Sequence, residues 1–168
     1  MGRVKDVSDE LFATAGRVIQ LLTKRRKTLA VAEASSGGLV GHLLTEVPGS
    51  SGAFLGGVIA YDNSLKESIG VPQDVITTHG AVSAETAGAL AEAVRRWAGS
   101  DYGLAVTGVA GPGGATQEKP VGLTFVAFAS DQRAACERHV FAGDRSAIKR
   151  SSAAASLDLL LRALKQDA

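Results

Sequence analysis

A chain of 168 residues with 18 Lys and Arg against 17 Asp and Glu, a formal net charge of +1, has no field that would draw it to nucleic acid or an anionic membrane surface, which leaves small molecules as expected partners. Its single cysteine, Cys136, excludes an internal disulfide framework and a cysteine-built metal site, and is expected as a small strand residue in a cytoplasmic protein. Hydrophobic residues make up 45% and aromatics 5%, with 20 glycines, which suits helices packed closely on a sheet; the opening MGRVKDVSDE has no apolar leader core, and no stretch reaches the roughly 18 apolar residues of a spanning helix.

Ser8 is positioned to cap a first helix with Asp9 and Glu10 in its opening turn, and Leu11, Ala15, Val18 and Leu22 form one buried stripe. The cluster Lys24 to Lys27 falls where cations favour a helix C-terminus. Leu29 to Glu33 then reads as a buried strand, Ala34-Ser35-Ser36-Gly37-Gly38 as a tight turn, and the pattern from Leu39 as a helix. Such a turn brings hydroxyls and backbone donors together on a small ligand; its plainer reading is a capped turn with glycines for close packing.

Phe54 to Tyr61 reads as a second buried strand, ending at the polar edge Tyr61-Asp62-Asn63-Ser64-Leu65-Lys66, where a short helical turn is stopped by Gly70 and Pro72. Tyr61 and Lys66 therefore fall at a strand's C-terminal end, where open α/β sheets bind ligands. His79 reads as a turn or surface histidine, and Ser83 as the cap of a helix carrying Ala87, Leu90, Ala91, Val94 and Ala98. Tyr102 to Thr107 is a third strand, running into a loop from Gly108 with four glycines in seven residues that lets the backbone approach a ligand. Two further strands, Gly122 to Ser130 and Ala134 to Phe141, are expected to pair antiparallel across Asp131-Gln132. Gly143-Asp144-Arg145 opens the last helix, with Leu157, Leu160, Leu161 and Leu164 inward; Arg145 in its first turn opposes the helix dipole, a placement an anion beside it would explain. The order α-β-α-β-α-α-β-β-β-α predicts one domain over residues 1–168, a three-layer α/β/α fold with a mixed, mainly parallel sheet.

Four blocks in this order, AEASSGG at 32–38, GGVIAYDNSLKESIGV at 56–71 with HGAVS at 79–83, TGVAGPGGATQEKPVG at 107–122 and FAGDR at 141–145, resemble the C-terminal domain of the CinA (competence/damage-inducible) family, whose members act as nicotinamide-nucleotide amidases. The resemblance runs from about Val18 to Leu164. It implies metal-free and cofactor-free hydrolysis of the carboxamide of nicotinamide mononucleotide to nicotinate mononucleotide and ammonia, by a cytoplasmic homo-oligomer whose partner is a phosphorylated nucleotide. Carried over by position, the family's base falls on Lys66 and its accompanying tyrosine on Tyr61. The ligand-contacting loop falls on Thr107 and Gly108, and a phosphate-facing arginine on Arg145. The turn Ala34, Ser36, Gly37 and Gly38 is implied to contact substrate. One position departs: the family commonly reads Ala-Glu-Ser-Cys-Thr-Gly-Gly with its first serine as nucleophile, and here that position is Ala34. Ser35 or Ser36 is then left to supply a hydroxyl, Ser35 only if the turn has begun before it. The competing expectation is a non-catalytic relative that keeps the nucleotide pocket; a nucleic-acid-associated factor fits the near-neutral charge poorly.

Overall fold

The structure, a computed structural model, describes the backbone of residues 7–167 and the side chains from Asp9 to Asp167. In chain order it comprises α1 (Val7–Arg25), β1 (Leu29–Glu33), α2 (Leu39–Thr45), a single 3-10 turn (Ser50–Gly52), β2 (Phe54–Ile59), α3 (Asn63–Ser68), α4 (Gln73–His79), α5 (Ala84–Ala98), β3 (Tyr102–Gly108), β4 (Leu123–Ala129), β5 (Ala134–Val140) and α6 (Arg145–Gln166). The strands form one sheet in the order β2-β1-β3-β4-β5. β1 is parallel to β2 and to β3, while β3 to β4 and β4 to β5 are antiparallel, so four of the five strands point the same way. The chain leaves β1 to one side, through α2 to β2, and returns to β1's other side at β3. That reversal leaves a crevice beyond the C-terminal ends of β1 and β3.

Strand alternation divides the core in two. Leu29 and Val31 of β1 and Leu104 and Val106 of β3 pack with Leu22 of α1, Leu43 and Leu44 of α2 and Leu157, Leu160 and Leu164 of α6. The opposite face is built from Ala30, Ala32, Ala105, Ala127 and Ala129, covered by Leu90, Ala91 and Val94 of α5 and Ile76 of α4. That alanine surface lets α5 approach closely. A Cβ on Gly103 would stand 1.9 Å from the Ala91 carbonyl oxygen, so the third strand needs glycine beneath the helix.

Three expectations are corrected. α1 begins at Val7, ahead of the expected Ser8 cap, whose side chain lies outside the described residues. β2 ends at Ile59 and is an edge strand whose burial alternates, with Leu55 and Ile59 half exposed. The short helix expected to stop at Gly70 and Pro72 does end before them, at Ser68, but Pro72 also starts an unexpected one: it occupies the N-cap of α4, where its missing N–H costs nothing. The element order therefore gains α4 between α3 and α5. Cys136 lies exposed in β5, and among the described residues no helix is long and apolar enough to cross a membrane.

Gly103→Ala is expected to destabilise the domain by about 3 kcal/mol or to prevent folding, since α5 must move off the sheet. Gly88→Ala, at a helical site with nothing within 4 Å of the added Cβ, should gain about 0.5–1 kcal/mol. Urea unfolding of both variants checks the pair.

Candidate active site

β1 stops at Glu33, and the chain turns before α2 starts at Leu39. Within that turn the Glu33 carboxylate, 2% exposed, accepts hydrogen bonds from Ser36 Oγ at 2.6 Å, Gly38 N at 3.0 Å, Val40 N at 3.1 Å and Gly41 N at 2.7 Å. It takes up N–H groups that α2 leaves unpaired at its start and fixes the Ser36 hydroxyl. Gly37 and Gly38 have φ of +62° and +99°, a backbone that a side chain would strain. The Ala34 N–H donates to the Val106 carbonyl at 2.9 Å, which ties the turn's first residue to β3. Since the strand has already ended, Ala34 and Ser35 both line one cavity.

That cavity, of about 240 Å³, sits over the crevice at the sheet's C-terminal edge; its walls include Ala34, Ser35, Tyr61, Asn63, Lys66 and Thr107, and it continues along Gly108 to Gly114 and to Arg145. The Ser35 hydroxyl is buried and finds no hydrogen-bond partner among the described residues. Lys66 is buried, at 2% exposure. Its Nζ donates to the Tyr61 carbonyl at 2.9 Å. Burial lowers the Lys66 pKa from the ordinary 10.5, opposed by the Asp62 carboxylate, which favours the charged form. Asp62 also caps α3, accepting from Ser64 N, so the cap and the buried lysine are one turn apart on the same short helix.

Arg145 joins three segments. Its guanidinium donates to the Gly111 carbonyl at 2.7 Å and to the Tyr61 hydroxyl at 3.1 Å, while Asp144 caps α6 by accepting from Ala147 N. Thr107, buried at the end of β3, donates to the Ala81 carbonyl at 2.8 Å, drawing the His79-to-Ser83 segment against the pocket.

Of the residues singled out in the sequence, Ala34, Ser35, Tyr61, Lys66, Thr107, Gly108 and Arg145 meet in this cavity. Ser36, Gly37 and Gly38 do not: the turn has two faces, and these three line a different cavity with α6. Ser36 is held there by its bond to Glu33. Sequence reasoning passed over Asn63 and Ala81-Val82 as lining residues, and Glu33 as the organiser of the turn. Asn63, three residues before Lys66 on a helix, had a spacing that would have found it. Among the described residues no group of three or more His, Cys, Asp or Glu side chains is placed to hold a metal ion.

The fold and the pocket define an α/β domain with a buried lysine and a free serine hydroxyl facing one cleft at the C-terminal edge of its sheet. The CinA C-terminal domain model matches residues 12–164, and the chain belongs to that family. It is 46% identical over 156 residues to a CinA-like protein of Myxococcus xanthus, covering 92% of this chain and 37% of that one. It is 48% identical over 149 residues to a CinA-like protein of Desulfotalea psychrophila, covering 88% and 36%. The chain thus spans little more than a third of the length of these relatives. The crystal structure of competence/damage inducible protein CihA from Agrobacterium tumefaciens superposes with a TM-score of 0.89 at 32% identity, covering 98% of this chain and 99% of that one.

Glu33→Gln, which puts an NH2 group against N–H donors, should cost about 2–3 kcal/mol, whereas Ser36→Ala should cost about 1 kcal/mol. Comparing the two variants by denaturant unfolding tests whether the carboxylate or the hydroxyl orders the turn.

Proposed function

We propose that this pocket hydrolyses the carboxamide of nicotinamide mononucleotide to nicotinate mononucleotide and ammonia, with Ser35 as nucleophile and Lys66 as base. The observation that carries the reading is the pairing of an unpartnered, buried serine hydroxyl with a lysine of lowered pKa in one cavity. A lysine that loses its proton more readily can take one from a hydroxyl near neutral pH. In the first half-reaction Ser35 Oγ attacks the carboxamide carbon as Lys66 Nζ accepts the Oγ proton. Collapse of the tetrahedral intermediate passes that proton to the departing nitrogen, releasing ammonia and leaving an ester on Ser35. Water then attacks the ester, Lys66 takes the water's proton and returns it to Ser35 Oγ, and the carboxylate product leaves. Oxyanion stabilisation falls to backbone N–H groups lining the pocket. The Tyr61 carbonyl keeps Lys66 oriented, Thr107 and Gly108 line the pocket, and Arg145 closes its rim through its bonds to Gly111 and Tyr61.

A second reading is a pocket that binds a pyridine mononucleotide without turning it over. Ala34 favours it, since it stands in the pocket wall at the position where the family's serine is expected. Ammonia release from nicotinamide mononucleotide by the purified protein separates the two: hydrolysis lost in Ser35→Ala and kept in Ser36→Ala supports the amidase, and binding without ammonia release supports the second reading.

The proposed roles fix how the rate responds to pH and to substitution. Because the base works deprotonated and burial lowers its pKa, the rate should rise with pH and level off below pH 10.5, and Lys66→Arg, protonated throughout, should be inactive. A kcat/KM profile against pH checks both. Ala34→Ser, which adds a hydroxyl at the end of β1, should raise hydrolysis at least ~10-fold in the same ammonia assay.

A further inference from the structure

The far face of the turn carries its own cleft. A cavity of about 440 Å³ opens there between α2 and the start of α6, with Gly37, Gly38, His42, Ser146, Lys149 and Arg150 in its lining. The lining holds two cationic side chains and an imidazole and no carboxylate. The Glu33 carboxylate behind Ser36 is already spent on four donors of the turn and α2. Lys149 reaches across from α6 to the turn: a Cβ on Gly37 would stand 3.3 Å from its Nζ. Arg145 belongs to the other cavity, its guanidinium given to Gly111 and Tyr61. α6 has no acidic residue in its first turn, yet Arg145, Lys149 and Arg150 all fall within its first six residues. No carboxylate lines the cleft to pair with Lys149 and Arg150, and an anion seated between them would do so.

We propose that the cleft between α2 and α6 is a phosphoryl-binding subsite, formed by Lys149 and Arg150 beside the turn at Gly37. It is distinct from the pocket of Ser35 and Lys66 and shares a single turn with it. The phosphoryl group belongs either to the ligand of that pocket, reaching round the turn, or to a separate phosphorylated molecule. The subsite rests on the proposed function only for the first of these sources.

Amide NMR of the whole chain titrated with inorganic phosphate tests it. Saturable shifts at Gly37, Gly38 and Lys149 are expected, with affinity reduced about 10-fold or more in Lys149→Ala/Arg150→Ala and unchanged in Arg145→Ala. Shifts that chloride reproduces at equal ionic strength, or that survive the double substitution in a protein with parental circular dichroism, would overturn the subsite. In a second arm, nicotinamide mononucleotide is added to the phosphate-loaded protein. Displacement of phosphate assigns the subsite to the ligand's own phosphoryl group, and simultaneous binding assigns it to a separate molecule; each supports the subsite. Ser35→Ala must leave the phosphate shifts intact, so a failure of the amidase reading and a failure of the subsite give different results.

Discussion

One buried carboxylate sets the geometry of the functional end of this domain. Glu33 ends β1 and starts α2 at once: its two oxygens gather three backbone N–H groups and the Ser36 hydroxyl, in a place where leaving any of them unpaired would be costly. The consequence is a turn with two fixed faces. One presents Ala34 and the free hydroxyl of Ser35 to the cleft over β1 and β3, and the other presents Gly37 and Gly38 to α6. Without that carboxylate the five-residue turn has glycines enough to adopt other shapes. The chemistry proposed for Ser35 depends on an interaction that contributes no reacting atom.

The lysine is positioned by a comparable economy of local structure. α3 is only six residues long, Asp62 caps it, and Lys66 follows one turn later with its side chain folded inward to the Tyr61 carbonyl. A helix this short has little stability of its own. It is held because Lys66 is buried below it and because Arg145 ties Tyr61 to α6 and to the glycine-rich loop. Burial that lowers the lysine's pKa is thus the same burial that anchors the segment, linking the fold's packing to the group's readiness to accept a proton.

Much of this was legible in the chain. The buried runs of β1, β3 and β4, the antiparallel return of β5, the helix capped at Ser83 and the helix opening at Asp144-Arg145 follow from apolar patterning and turn chemistry, and the structure has them within a residue or two. The convergence of Ser35, Lys66, Thr107 and Arg145 was also readable, because the segments carrying them follow strands or open a helix and parallel strands share one edge. What escaped was relational. Leu55 and Ile59 look like buried strand residues, yet the structure leaves both half exposed on β2. Pro72 and Gly70 look like an ending, and only the backbone shows Pro72 as the beginning of α4. Ser36 and Ser35 are neighbours in sequence, yet one is bound to Glu33 and the other is free in the pocket. A tight turn reverses the direction of consecutive side chains, and no periodicity records that.

The central claim is that Ser35 forms a bond to the substrate's acyl carbon. Acid quenching of the protein during turnover of nicotinamide mononucleotide, followed by peptide mass spectrometry, reads this directly. The account predicts a nicotinate-mononucleotide acyl adduct on Ser35, absent from Ser35→Ala and accumulating in Lys66→Ala if any attack persists there. An adduct on another residue, or sustained ammonia release by Ser35→Ala at the parental rate, would contradict it.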